Sequence, residues 1–183
     1  MDHADHVGLI RLGVDGATDG PWADLGAGTG AFTLALADLL GPGGRITAVD
    51  RDASDLRENA RRVRAAFPAT DLATLVADFT GPLALGDPGG LAGVVMANAL
   101  HFVEPRRQAD AVRSIAGLLR PGGRFVIVEY DADRGNHWVP HPFTFAGWQR
   151  LAGASGLVEV RATGRVPSRF LGAIHAAVAV RPG

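Results

Sequence analysis

The chain has 183 residues, enough for one well-packed domain, with the 47% hydrophobic and 20% charged content of an ordinary globular protein. Its net charge of −1 gives no general attraction to nucleic acid, and no apolar run approaches the roughly twenty residues that span a bilayer. It has no cysteine and no lysine, all 18 basic residues being arginine. Disulfides, thiolate metal sites, cysteine nucleophiles, Schiff-base lysines, Walker-type phosphate loops and the Tyr-x-x-x-Lys pair of short-chain dehydrogenases are thereby excluded.

Residues 1–20 begin Met1-Asp2-His3-Ala4-Asp5-His6, acidic and polar and unlike a signal peptide, so a cytoplasmic location is expected. They read as a short cap segment from which His6 closes over a ligand. Strand Trp22–Leu25 follows, then a glycine turn, Gly26-Ala27-Gly28-Thr29-Gly30, that opens helix Ala31–Leu40. Such a turn cradles nucleotides, because glycine tolerates positive φ and lets the backbone approach a bulky ligand. The next strand, Arg45–Val49, ends at Asp50, about twenty residues past the last glycine, where a carboxylate takes both ribose hydroxyls.

Helix Ala53–Phe67 carries Arg57, Arg61, Arg62 and Arg64 on a solvated face, with Glu58 and Arg62 spaced to pair at i,i+4. Strands Ala73–Ala77, Gly93–Ala97 and Phe125–Glu129 continue the alternation around helix Glu104–Leu119, with a loop at Pro82–Gly90. Gly41-Pro42-Gly43-Gly44 and Pro121-Gly122-Gly123 are helix stops before strands. After Tyr130 the pattern changes to an irregular loop, a helix over Phe143–Ala154, and strands Leu157–Thr163 and Ala173–Val180. The short link between these two strands demands an antiparallel hairpin. The prediction is a single α/β domain over residues 1–183. It is a Rossmann-like three-layer sandwich, with a seven-stranded, mostly parallel sheet and a C-terminal antiparallel hairpin.

Gly26-x-Gly28-x-x-Ala31 also fits the loose dinucleotide fingerprint of nicotinamide oxidoreductases. Asp24 followed by Gly26-x-Gly28-x-Gly30 fits better, and resembles motif I of the class I S-adenosylmethionine-dependent methyltransferases. The resemblance extends over about residues 20–130 and includes the Leu119-Arg120-Pro121-Gly122-Gly123 turn. It implies S-adenosylmethionine as cofactor. Asp24 would then hold its methionine part and Gly26, Ala27, Gly28 and Gly30 pass beneath it. Asp50 would clasp the ribose, Arg51, Asp78 and Phe79 line the adenine side, and Asn98 and Ala99 flank the methyl group.

Methyl transfer from a sulfonium needs alignment, and for a hydroxyl acceptor a base. His101, just beyond the Asn98-Ala99 loop, is the first candidate for that base and Tyr130 the second. Glu129 and residues 131–156, with His137, Trp138 and His141, are expected to form the acceptor side, and Arg169 to recognise a carboxylate or phosphate. Pro140 and Pro142 disfavour a metal reading of the two imidazoles. Motif IV lacks an Asn/Asp-Pro-Pro-aromatic signature, which with the near-neutral charge points to a small-molecule acceptor methylated at oxygen or nitrogen. Neither nucleic acid nor a membrane is expected as partner. The short N-terminal cap implies a shallow acceptor pocket or one completed by a second copy in a homo-oligomer. A nicotinamide oxidoreductase and a non-catalytic scaffold of the same fold are the alternatives.

Overall fold

The computed structural model describes residues 1–85 and 90–183. Its elements run α1 (His3–Val14), β1 (Trp22–Leu25), α2 (Ala31–Leu40), β2 (Arg45–Asp50), α3 (Ala53–Ala66), β3 (Asp71–Val76) and β4 (Leu91–Ala97). A 3-10 turn (Leu100–Phe102), α4 (Pro105–Ala116), β5 (Leu119–Tyr130), α5 (Phe145–Ala154), β6 (Val158–Pro167) and β7 (Ala173–Val180) complete it. The sheet order is β3-β2-β1-β4-β5-β7-β6; the first five strands run parallel, and β7 is antiparallel to both β5 and β6. This is the predicted seven-stranded α/β sandwich with its terminal hairpin.

The order reverses between β1 and β4, so the loops following both strands open at the same carboxyl edge and leave a crevice there. β1 and β4 are buried along their whole length, as strands covered on both faces must be. One core gathers Ile10 and Val14 of α1, Leu36 of α2 and Val63 of α3 against Trp22, Val126 and Val178. The other gathers Val112 and Ile115 of α4 and Trp148 of α5 against Met96, Phe125 and Ile127. Alternate residues of β5 thus serve opposite layers, which fixes the face that each strand-end side chain presents.

Several boundaries differ from the sequence reading for local reasons. The cap segment is a 12-residue helix, started by a capping box between Asp2 and Asp5. Helix α4 starts with Pro105 at its first turn and stops at Gly117, because Leu118 and Leu119 are drawn to the sheet edge beside Leu91. The Pro121-Gly122-Gly123 stop therefore lies within β5, as a register shift between Leu91 and Gly93 on its neighbour β4. Helix α5 begins at Phe145 because Thr144 caps it, accepting from the Gly147 amide at 3.2 Å. Of the expected loop at 82–90, residues 86–89 lie outside the described residues. The expected Glu58–Arg62 pair does not form. Arg61 takes Glu58 through two hydrogen bonds of 2.8 and 2.6 Å, and Arg62 donates instead to the Thr29 carbonyl at 2.7 Å.

Trp148 anchors the α5 layer: it is fully buried, with ring centroids 5.3 Å from Phe125 and 6.4 Å from Phe143. Truncation there leaves a large apolar cavity. Trp148→Ala is expected to lower the unfolding free energy by about 3–5 kcal/mol, measured by urea denaturation. A loss below 1 kcal/mol would show that α5 contributes little to the core.

Candidate active site

The site is built where the β1 and β4 loops meet. Gly26 has φ of +74°, and a Cβ on it would lie 2.5 Å from the Ala99 Cβ, so only glycine lets the two strand-end loops touch. The Gly26 and Ala27 amides both donate to the Val49 carbonyl, at 2.9 and 3.0 Å, which ties the turn to the end of β2. The Gly28 amide then donates to Asp50 Oδ2 at 2.8 Å, and the Asp52 amide to Asp50 Oδ1 at 2.9 Å. Among the described residues, Asp50 is therefore held at the rim by backbone donors.

Asp24 lies behind the turn, 1% exposed. Its Oδ2 accepts from the Thr33 hydroxyl at 2.6 Å, and that hydroxyl accepts from Asn59 Nδ2 at 2.8 Å, the same amide reaching the Gly28 carbonyl at 3.4 Å. Burial pushes the Asp24 carboxyl up to about 7; the Thr33 bond opposes this, and the negative charge of Asp50 adds to it. Gly30, at the start of α2, packs directly on Asn59. The turn is thus backed by a buried polar chain, Asp24–Thr33–Asn59, that spans α2 and α3.

A cleft of about 420 Å³ opens in front of this turn, lined by Gly26, Asp50, Arg51, Asp78, Phe79, Asn98 and Ala99 among the expected cofactor residues. Asp24, Ala27, Gly28 and Gly30 do not line it; they shape its floor from behind. Phe102 and Arg107, which sequence reasoning did not single out, complete its outer lip. Asp78 Oδ1 accepts from the amide and hydroxyl of Thr80 at 2.8 and 2.7 Å; these bonds hold its carboxyl below the ordinary range and leave Oδ2 for a ligand. Asn98 adopts the left-handed conformation, φ +50°, and its buried Oδ1 has no partner among the described residues. Asn98 thus combines a left-handed backbone with an orphaned amide oxygen at the cleft wall.

Beside the cleft, His101 and Glu129 form a buried pair. His101 is 2% exposed and Glu129 fully buried; Nδ1 lies 2.8 Å from Oε2, and the His101 amide donates to Oε1 at 3.2 Å. The Tyr130 amide also donates to Oε2 at 3.2 Å. Glu129 was expected on the acceptor wall. Its place on β5 turns it instead into the layer of Phe125 and Ile127, where it reaches His101. Gln108 of α4 secures the loop, donating to the carbonyls of Leu100, Val103 and His141. The Tyr130 ring stands edge-on to His101 at 5.4 Å, and burial followed by the Glu129 charge raises its phenol above the ordinary value.

The remaining acceptor residues are less gathered. His141 docks its amide on the His101 carbonyl at 3.0 Å. His137 and Trp138 are exposed and pack on each other at 5.4 Å, and Arg169 is exposed; none lines the cleft. His6 sits on α2, edge-on to Phe32 at 4.8 Å, and burial lowers its pKa. Among the described residues no group of three or more metal-ligating side chains gathers. His175 was missed altogether: it faces Glu129 across β5 and β7, buried, and neither ring nitrogen has a hydrogen-bond partner among the described residues. A histidine inside an otherwise apolar strand, Ala173–Val180, is the signal that marks it.

Residues 23–123 match the family described as a methyltransferase domain. An uncharacterized methyltransferase of Mycobacterium tuberculosis is 37% identical over 116 residues, 63% of this chain and 42% of the relative. The demethylmenaquinone methyltransferase of Symbiobacterium thermophilum is 36% identical over 108 residues, 58% and 41% of the two chains. The chain thus spans under half the length of these curated relatives. Among solved structures, the N-methyltransferase NodS of Bradyrhizobium japonicum, in complex with S-adenosyl-L-homocysteine, has a TM-score of 0.75 at 17% identity, covering 98% of this chain and 87% of NodS. The apo S-adenosylmethionine-dependent methyltransferase SibL has a TM-score of 0.70 at 20% identity, covering 95% of this chain and 54% of SibL.

The buried Asp24 has a consequence for stability. Its carboxyl, 3.8 ordinarily, titrates near 7 when folded, so between these values the folded state binds the extra proton. Its contribution to stability therefore falls as pH rises from about 4 to about 7 and is level above that. Asp24→Asn removes this dependence. Its stability relative to the parent is expected to be about 2–3 kcal/mol more favourable at pH 8 than at pH 5, read from denaturant titrations. An identical difference at both pH values would contradict the shifted carboxyl.

Proposed function

The chain belongs to the class I S-adenosylmethionine-dependent methyltransferases, and on that premise we propose that it methylates a small protic acceptor at oxygen or nitrogen, with His101 as the base. The observation that carries this reading is the 2.8 Å contact between His101 Nδ1, in the 3-10 turn after β4, and Glu129 of β5, beside the cleft.

The residues of the cleft suit the cofactor. The cleft in front of the turn leaves room for a ligand, and the orphaned Asn98 oxygen at its wall awaits a donor. Asp50 would take the ribose hydroxyls, since each oxygen keeps a lone pair beyond its backbone bond. Asp78 Oδ2 would accept from the adenine amino group, with Arg51 and Phe79 beside the ring. Asp24, expected to hold the methionine part directly, is buried behind the turn and bonded to Thr33, so it would instead brace the loop on which the methionine end rests. When bound, S-adenosylmethionine supplies a methyl group already activated by the sulfonium, which leaves alignment, proton removal and exclusion of water to the protein.

His101 removes the proton. Glu129 is held by the Nδ1–H and by two backbone amides, an arrangement that suits a carboxylate and assigns the proton to Nδ1. Nε2 is then the free base, and it has no hydrogen-bond partner among the described residues. When it takes the acceptor's proton, the imidazolium forms against Glu129, whose charge stabilises it without solvent rearrangement. Tyr130 keeps its phenol proton at neutral pH and so acts as a donor that orients the acceptor. His141 braces the loop through the His101 carbonyl, while His137, Trp138 and Arg169 stand farther out on the acceptor side.

Two measurements test the reading. S-Adenosylhomocysteine is expected to raise the melting temperature where NAD(H) does not, and Asp50→Ala to abolish that rise; full-strength binding by the variant would remove Asp50 from the site. In an acceptor screen read by S-adenosylhomocysteine formation, His101→Ala is expected to lose about 10²–10⁴ in turnover on a hydroxyl acceptor while its affinity for S-adenosylhomocysteine is unchanged. Glu129→Gln should give a smaller loss with a shifted pH profile. Turnover by His101→Ala equal to that of the parent would end its assignment as base.

A further inference from the structure

Three loop tips at the carboxyl edge each present one large aromatic side chain to solvent: Phe102 is 58% exposed, Trp138 69% and Phe170 62%. The first follows β4 and the second follows β5. The third lies between β6 and β7, at the same edge because β6 runs parallel to β5. The tips are stapled to one another. The His141 amide bonds the His101 carbonyl at 3.0 Å, and Asn136 Nδ2 donates to the Phe170 carbonyl at 3.0 Å. Asn136 Oδ1 in turn accepts from the Trp138 and Val139 amides, both at 2.9 Å, so one side chain sets two of the tips. Arg134 and Arg169, on the same loops, are exposed and enter no ion pair among the described residues. Asp131 is neutralised by Arg165 at 3.0 Å, which leaves Asp133 as the counter-charge on these loops.

We propose that this rim, Phe102, Trp138 and Phe170 with Arg134 and Arg169, is an interfacial docking surface for an anionic lipid bilayer. A whole aromatic side chain buries roughly 150–250 Å², so three tips this exposed offer roughly 300–450 Å² together. That is about half of the ~800 Å² per partner that a stable protein interface needs. Separate projecting aromatics suit a fluid interface, where rings settle at headgroup depth and guanidinium groups meet lipid phosphates. No helix among the described residues is long and apolar enough to cross a membrane, so the contact is peripheral, and it revises the expectation that a membrane plays no part. The rim borders the mouth of the acceptor side, and docking there would present the site to a bilayer-dissolved acceptor.

The other two tryptophans, Trp22 and Trp148, are fully buried, which makes Trp138 a reporter of the rim. Vesicles of phosphatidylcholine with phosphatidylglycerol are expected to shift the tryptophan emission to shorter wavelength and to co-sediment the protein; phosphatidylcholine alone should do neither. Arg134→Gln with Arg169→Gln should weaken vesicle binding about 30-fold, at about fivefold per cation. Trp138→Ala with Phe170→Ala should abolish it while the melting-temperature rise with S-adenosylhomocysteine persists. Unchanged emission with every vesicle, or equal binding to neutral and anionic vesicles, would overturn the proposal. So would concentration-dependent self-association that shields Trp138 from acrylamide without lipid, which would assign the rim to a second copy of the chain.

Discussion

The contact between Gly26 and Ala99 decides the architecture of the cleft. At a switch in strand order two loops diverge, and what bridges them must be thin. Gly26 supplies a bridge with no side chain, and the amides that follow are then free to hold Val49 and Asp50. The rim carboxylate thus owes its place to backbone donors, while the buried carboxylate behind the turn is fixed by side chains of two helices. One acid is rigid and wet, the other rigid and dry. The dry surroundings are what raise the Asp24 carboxyl.

Local signals made most of this legible. Strand β1 and helix α2 fall where the glycine turn and the apolar spacing put them, since both signals act within a few residues. Asp50 and Asp78 are readable because the first ends β2 and the second stands two residues past β3, and strand ends converge at one edge in a parallel sheet. What sequence reasoning missed depends on partners far apart. Glu129 reads as a pocket residue until its face on β5 is known, and His101 is 28 positions away. His175 meets Glu129 only through antiparallel register. Helix α1 was hidden because its cap uses Asp at both box positions, where Glu or Gln is the usual third-residue partner.

The two halves of the crevice are built differently. The half proposed to take the adenosyl group is shaped by strand termini and the short turns that directly follow them. The acceptor side is assembled from the 3-10 turn, the segment after β5 and the hairpin turn, tied together by single hydrogen bonds at His141 and Asn136. Gln108 is the exception. Buried within α4, it gathers three carbonyls from both regions and gives the acceptor loops a fixed point. Substrate range can therefore vary through these loops without disturbing the grip on the cofactor.

Helix α1 closes the molecule from its far end. The Thr163 hydroxyl donates to the Leu9 carbonyl, 154 positions earlier, and Arg124 clasps the carbonyls of Gly13 and Asp15. A ribosome adding about 5–20 residues per second needs on the order of ten seconds to deliver Thr163 after Leu9 has emerged. Throughout that interval Val7, Leu9, Ile10 and Val14 have α2 and Trp22 to pack against but not yet the finished hairpin. Helix α1 can therefore settle early on α2, but its seat is closed only when the terminal hairpin arrives.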